Sequence, residues 1–153
     1  MNARIQTLKA DLQAELNSIE TIYQKVLMTY DMNDNEQAIV VGYYLHNLYN
    51  AFECVFRLIA DAFENHIPES DKWHSLLLER MGRSIPDIRP ALLSQTALES
   101  LDELRRFRHL FRHLYRYDLK AEGVQKALTQ AQRLRTIYTA DFQRFYQFID
   151  ALV

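Results

Sequence analysis

Residues 105–117 read RRFRHLFRHLYRY, with five arginines and two histidines in a chain whose formal net charge is −2. Three kinds of arrangement use such a set. The arginines can be a solvated helical face, the commonest place for charge on a helix. Against that, the acidic residues nearby (Glu99, Asp102 and Glu103) all lie upstream, so Arg112 and Arg116 have no acidic partner one turn before them. Clustered cations without partners repel one another until something anionic neutralises them. A metal site is the second arrangement, because His109 and His113 are four apart and share a face, as zinc ligands do. Arg105, Arg108 and Arg112 surround that pair and repel a divalent cation, and the chain has no Glu-x-x-His pair for a di-iron site. Neither a metal nor any other cofactor is expected.

A phosphate site is the third arrangement, and it suits the charges. Arginine offers a fork of donors to phosphate oxygens and stays charged at any relevant pH. A histidine beside it, titrating near about pH 6.5, can give or take a proton at neutrality. The two together, without metal, suffice to cleave RNA through its own 2′-hydroxyl. The imidazole removes the hydroxyl proton, the 2′-oxygen attacks phosphorus, and the guanidinium stabilises the added negative charge. Such chemistry requires RNA, since DNA lacks that nucleophile.

The elements that must carry these residues read as helices. The 153-residue chain has 48% hydrophobic residues, three glycines and three prolines, which leaves little room for hairpins and makes one domain, 1–153, the simplest division. Ile5, Leu8, Leu12, Leu16, Ile19, Tyr23, Val26 and Tyr30 step by three or four and predict a first helix of about 30 residues. A second runs from about Glu36 to His66, closed by Pro68; apolar residues go nearly all the way round it, so neighbours cover it on more than one side. A short helix over 70–81 has Ser70 or Asp71 as its cap, and a Pro- and Gly-bearing loop spans 82–90. The fourth helix covers 94–115, and Phe107, Leu110, Leu114 and Tyr117, stepping by three, four and three, read as core; the last helix has Asp118 as its cap and ends near Val153. The expected architecture is all-α: an up-and-down bundle of four main helices plus one short one. The charged N-terminal segment is not expected to act as a signal peptide, and the apolar run AIVVGYYL at 38–45 is too short to span a bilayer. With the single Cys54 in an apolar setting, a cytoplasmic protein is expected, with no part in a membrane.

Arg108, the four residues HLFR, then His113, Leu114 and Tyr115 spell R-x4-H-x-Y. That motif, late in a short all-helical chain, resembles the HepT-like toxins of the HEPN ribonuclease superfamily. The surrounding LDELRRFRHLFRHLYRYDL extends the similarity over some twenty residues, and helix order agrees along the whole chain. The resemblance implies a HEPN-like fold and a metal-independent endoribonuclease acting on tRNA or mRNA as a homodimer. It makes Arg108 the phosphate-stabilising residue, His113 the general acid/base, and Tyr115 the hydroxyl that a MntA-type nucleotidyltransferase antitoxin silences with AMP. A larger assembly with that antitoxin is also implied. Arg106, with six residues between it and His113, is the second candidate for the arginine role.

Positions 108 and 113 lie about 140° apart around an ideal helix and do not share a face. Either the helix distorts before Asp118, or one chain's arginine works beside another's histidine across a two-fold axis. On the second helix His46, Asn50, Glu53 and Arg57 make a polar stripe that runs on to Asp61 and Glu64 and reads first as a solvent face. Its functional reading is that Asn50 and Glu53 lie across from the motif and orient it. Trp73 reads as a core anchor, His66 as a helix end, and Met28, Met32 and Met81 as packing residues. The competing reading of the whole chain is a non-catalytic helical module in which the arginine-rich helix docks a protein or nucleotide and His113 is structural.

Overall fold

The computed structural model describes residues 2–64, 70, 72–115 and 118–153, and in them six helices follow one another with no strand. They are α1 (Asn2–Val26), α2 (Asn35–Phe63), α3 (Trp73–Met81), α4 (Gln95–Arg112), α5 (Ala121–Arg135) and α6 (Tyr138–Asp150). The all-α bundle expected from periodicity is the fold observed, and it agrees with the HEPN-like bundle that the resemblance implies. α2 is its centre, in contact with α1, α3, α4 and α5. Val41, Leu45, Leu48, Tyr49, Phe52, Val55, Phe56 and Ile59 are at most 1% exposed on it, which is why its apolar residues run round most of its circumference. The α1 stripe from Ile5 to Val26 closes over one side of α2.

The boundaries differ from the periodic pattern where local hydrogen bonding takes over. α1 stops at Val26: the Met28 N–H turns to the Lys25 carbonyl, and the Tyr30 hydroxyl donates to the same carbonyl at 2.5 Å. Met28, expected to pack, is exposed, whereas Met81 is fully buried. Asp34 caps α2, its carboxylate accepting from the Glu36 and Gln37 N–H groups. α2 ends at Phe63; His66, Pro68 and Asp71 lie outside the described residues, as do Arg116 and Tyr117. α3 begins at Trp73, with Lys72 at the cap position and no side-chain cap. The Ser70 carbonyl accepts from the Trp73 N–H.

The predicted last helix is two. At Thr136–Ile137 the backbone N–H groups bond three residues back, and the Thr136 hydroxyl also donates to the Arg133 carbonyl. That side-chain bond competes with the helical ladder at a β-branched residue. The bend lets α5 lie on α2 and α4 while α6 reaches α1. α5 starts at Ala121 from Lys120, so Asp118, which is exposed, does not cap it. Leu152, at the end of the predicted stripe, is exposed too.

The loop after α3 is tied down by one buried cation. Arg89, 2% exposed, pairs with the Glu64 carboxylate at 3.0 Å and donates to the carbonyls of Arg80, Arg83 and Pro90. At the crossing of α2 and α4, Gly42 has no side chain for a reason: a Cβ there would lie 3.0 Å from the Phe111 ring and 3.4 Å from Phe107. This close approach brings the arginine-rich helix against the polar stripe of α2.

Candidate active site

α4 is held at both ends. Ser94 caps its start, the hydroxyl accepting from the Ala97 N–H, while its own N–H and hydroxyl donate to buried Asp141 of α6 at 2.9 and 2.8 Å. At the other end the helix stops at Arg112 rather than at Tyr115. His113 leaves the helical backbone (φ −114°, ψ 30°), with its N–H bonded to the Leu110 carbonyl at 3.1 Å. Phe107 is buried, but Leu110 and Leu114 are only half-buried, and Phe111 supplies the packing against the core that those leucines were expected to provide.

The arginines of the motif fall into two groups. Arg105 pairs with Asp102 at 2.9 Å; Arg106 pairs with Asp102 at 3.0 Å and Glu103 at 3.7 Å. Among the described residues, neither Arg108 nor Arg112 has a carboxylate within ion-pair distance. Arg108 instead donates through Nε to Asn50 Oδ1 on α2. The bond occupies only the inner nitrogen of the guanidinium, leaving the terminal amino groups for another acceptor. Burial lowers the Arg108 pKa from its ordinary value, Glu53 opposes that and Arg112 adds to it; the group remains a cation at any physiological pH.

Arg108 and Arg112 form one wall of a groove of about 400 Å³, and His46, Asn50, Glu53, Cys54 and Arg57 of α2 form the other. Here the stripe on α2 is a solvent face only in part, with Arg57 and Asp61 exposed and His46 and Asn50 half-buried. Glu53 is 3% exposed; its oxygens accept from His74 Nδ1 at 2.8 Å and from Arg57 at 3.3 Å. Arg57 in turn lies 4.3 Å over the Trp73 ring, whose edge meets His74 at 4.7 Å. The buried carboxylate therefore has cationic or donor partners on both oxygens, and the groove is left with a surplus of positive charge. Further along the former stripe, Glu64 is the buried partner of Arg89.

His113 is not among the residues that line this groove. Its ring lies 4.5 Å from that of His109, edge-on, and 6.0 Å from that of Tyr115. Tyr115 is 77% exposed, with its hydroxyl at the surface just past the helix end. One chain thus brings Arg108, Asn50 and Glu53 together and sets His113 and Tyr115 beside each other a turn away. His46, Arg57 and Arg112, which the sequence reading named without assigning to the site, also line the groove. For His46 and Arg57 the signal was the stripe itself, mixed in charge on a helix apolar nearly all round; for Arg112 it was the lack of an acidic partner one turn before it. Among the described residues, no cluster of three or more His, Cys, Asp or Glu side chains is placed to hold a metal ion, and no helix is long and apolar enough to cross a membrane.

Residues 40–149, which carry both walls of the groove and the whole R-x4-H-x-Y motif, match the family model described as HepT-like protein. No curated protein and no solved structure matches the chain.

Proposed function

The chain belongs to the HepT-like family of HEPN toxins, and from that premise we propose that it is a metal-independent endoribonuclease, with 1–153 acting as one HEPN-like domain. The observation that carries this reading is the sorting of the arginines. Arg105 and Arg106 are neutralised by acids on their own helix, while Arg108, held by Asn50, faces a groove with Arg112 and Arg57 and keeps its charge for a ligand. The same sorting favours Arg108 over Arg106 as the working arginine. A phosphodiester in the groove takes the terminal amino groups of Arg108 on its non-bridging oxygens, where negative charge grows as the 2′-oxygen attacks. The P–O5′ bond breaks, leaving a 2′,3′-cyclic phosphate and a 5′-hydroxyl. Asn50 and Glu53 are positioning residues: Asn50 aims Arg108, and Glu53 fixes Arg57.

His113 serves as general acid/base. Because it lies outside its own chain's groove, the site is completed by a second copy whose His113 reaches in, so the active species is a homodimer. Tyr115 is the acceptor for AMP from a MntA-type nucleotidyltransferase antitoxin; its exposure beside His113 supports this, since a nucleotide added there puts bulk and negative charge at the groove's edge. The test is cleavage of total RNA by the purified protein in the presence of a chelator. Cyclic phosphates at the new 3′ ends are expected, with losses of about 10²- to 10⁴-fold in His113→Ala and about 10²- to 10³-fold in Arg108→Ala. RNA left intact by the wild type, or cut equally well by His113→Ala, refutes the reading; intact RNA with retained binding would favour a non-catalytic docking module.

A further inference from the structure

We propose that His46 takes the 2′-hydroxyl proton in the Arg108 groove, an assignment that rests on the ribonuclease reading above. Of the described side chains lining the groove, it alone is equipped to do so. Arg57, Arg108 and Arg112 are permanent cations. Asn50 is an amide and not a base. Both oxygens of Glu53 are occupied, by His74 and Arg57. The Cys54 thiol is driven above its ordinary pKa by burial, with Glu15 and Glu53 adding to the effect, so it stays protonated. What remains is an imidazole on α2, one turn before the Asn50 that holds Arg108.

The surroundings of the ring fit the task. Nδ1 lies 3.4 Å from Asn47 Oδ1 and 3.4 Å from Asn50 Nδ2. An Nδ1–H donates to Asn47, leaving the lone pair on Nε2; a bare Nδ1 accepts from Asn50. Either tautomer is accommodated, and the ring keeps its Asn47 bond when Nε2 gains a proton. Phe111 packs at 5.4 Å against the ring and fixes its tilt. Burial lowers the His46 pKa and the Asn47 contact opposes that, while Arg108 and Arg112 across the groove lower it further. Those two arginines of α4 are the charged groups that bear on it; on its own helix, Glu53 is turned to His74 and Arg57. At neutral pH the ring is therefore uncharged and able to accept a proton, with Arg108 beside it to hold the phosphate.

The step balances without a further reagent. The 2′-O–H proton passes to His46 Nε2, the 2′-oxygen forms its bond to phosphorus, and the P–O5′ bond breaks. The departing 5′-oxygen takes a proton from His113 of the second copy in its imidazolium form. His46 then loses its proton to solvent, and His113 regains one. Two imidazoles thus divide the roles, His46 as base and His113 as acid.

The experiment compares the wild type, His46→Gln and His46→Ala on an RNA oligonucleotide with chelator present. Binding is measured separately on the same oligonucleotide carrying 2′-O-methyl groups, which cannot cyclise. Cleavage should fall about 10²- to 10⁴-fold in both variants with binding of the methylated strand retained. The acid limb of the wild-type rate–pH profile, with a midpoint below about 6.5, should vanish in both. Added imidazole should restore part of the rate of His46→Ala and none of that of His46→Gln. Wild-type cleavage with an unchanged acid limb in His46→Ala overturns the assignment while the ribonuclease reading stands. Loss of binding in step with loss of cleavage overturns it too, since His46 would then be a binding group. RNA uncut by every form refutes the ribonuclease reading and this assignment with it. Should both variants unfold, the wild-type profile still decides: a rate with no acid limb is incompatible with His46, or any imidazole, as the base.

Discussion

Asn50→Ala is the most informative perturbation of the Arg108 geometry. The substitution deletes the acceptor for Arg108 Nε while leaving the guanidinium, its charge and the other side chains that line the groove. A hydrogen bond to a charged group contributes about 1.5–3 kcal/mol. Both partners are only half-buried, so the lower part of that range applies, about 1.5–2 kcal/mol. At about 1.36 kcal/mol per decade, cleavage should slow roughly 10- to 30-fold. Arg108→Ala, which removes the charge itself, should cost more, about 10²- to 10³-fold. If Asn50 acts through Arg108 rather than through its 3.4 Å contact with His46, the double variant should be no slower than Arg108→Ala alone. Single-turnover cleavage of a labelled RNA in chelator measures all four corners of the cycle, with circular dichroism to confirm that each variant is folded. A further tenfold loss in the double variant, or an Asn50→Ala rate equal to that of the wild type, would refute the idea that Asn50 works by aiming the guanidinium.

Arg89→Met should destabilise the fold by about 3–5 kcal/mol, because it leaves the buried Glu64 carboxylate only Arg80 at 3.8 Å and strands the carbonyls of Arg80, Arg83 and Pro90; a change below about 1 kcal/mol in urea denaturation would contradict that account of the loop. Tyr115→Phe should cleave RNA as the wild type does but gain no mass when co-expressed with a partner nucleotidyltransferase. AMP appearing on Tyr117 in that variant would move the acceptor site two residues on.

The helices were legible because their buried stripes are strongly periodic, and α2 showed itself as the central one by its apolar circumference. Their ends were harder to read. Tyr30 and Tyr138 both keep the three-to-four step, yet one lies beyond the end of α1 and the other beyond a break. In each case the decision rests on individual hydrogen bonds, Tyr30 to the Lys25 carbonyl and Thr136 to the Arg133 carbonyl, which spacing does not encode. At the site, the motif drew attention to Arg108, His113 and Tyr115, and the stripe to Asn50 and Glu53. Which arginines keep their charge depends on which carboxylates reach them in three dimensions. His46 was hidden because the continuation of its stripe to Asp61 and Glu64 looked like a surface, whereas Glu64 is committed to Arg89, 25 residues along the chain.

Trp73 is the chain's single tryptophan, and the guanidinium stacked on it belongs to Arg57, which also forms part of the groove. The protein therefore contains its own optical reporter. A polyanion that draws Arg57 off the indole alters the emission of one known chromophore, and occupancy of the cleft can be followed in the unlabelled, unmodified molecule.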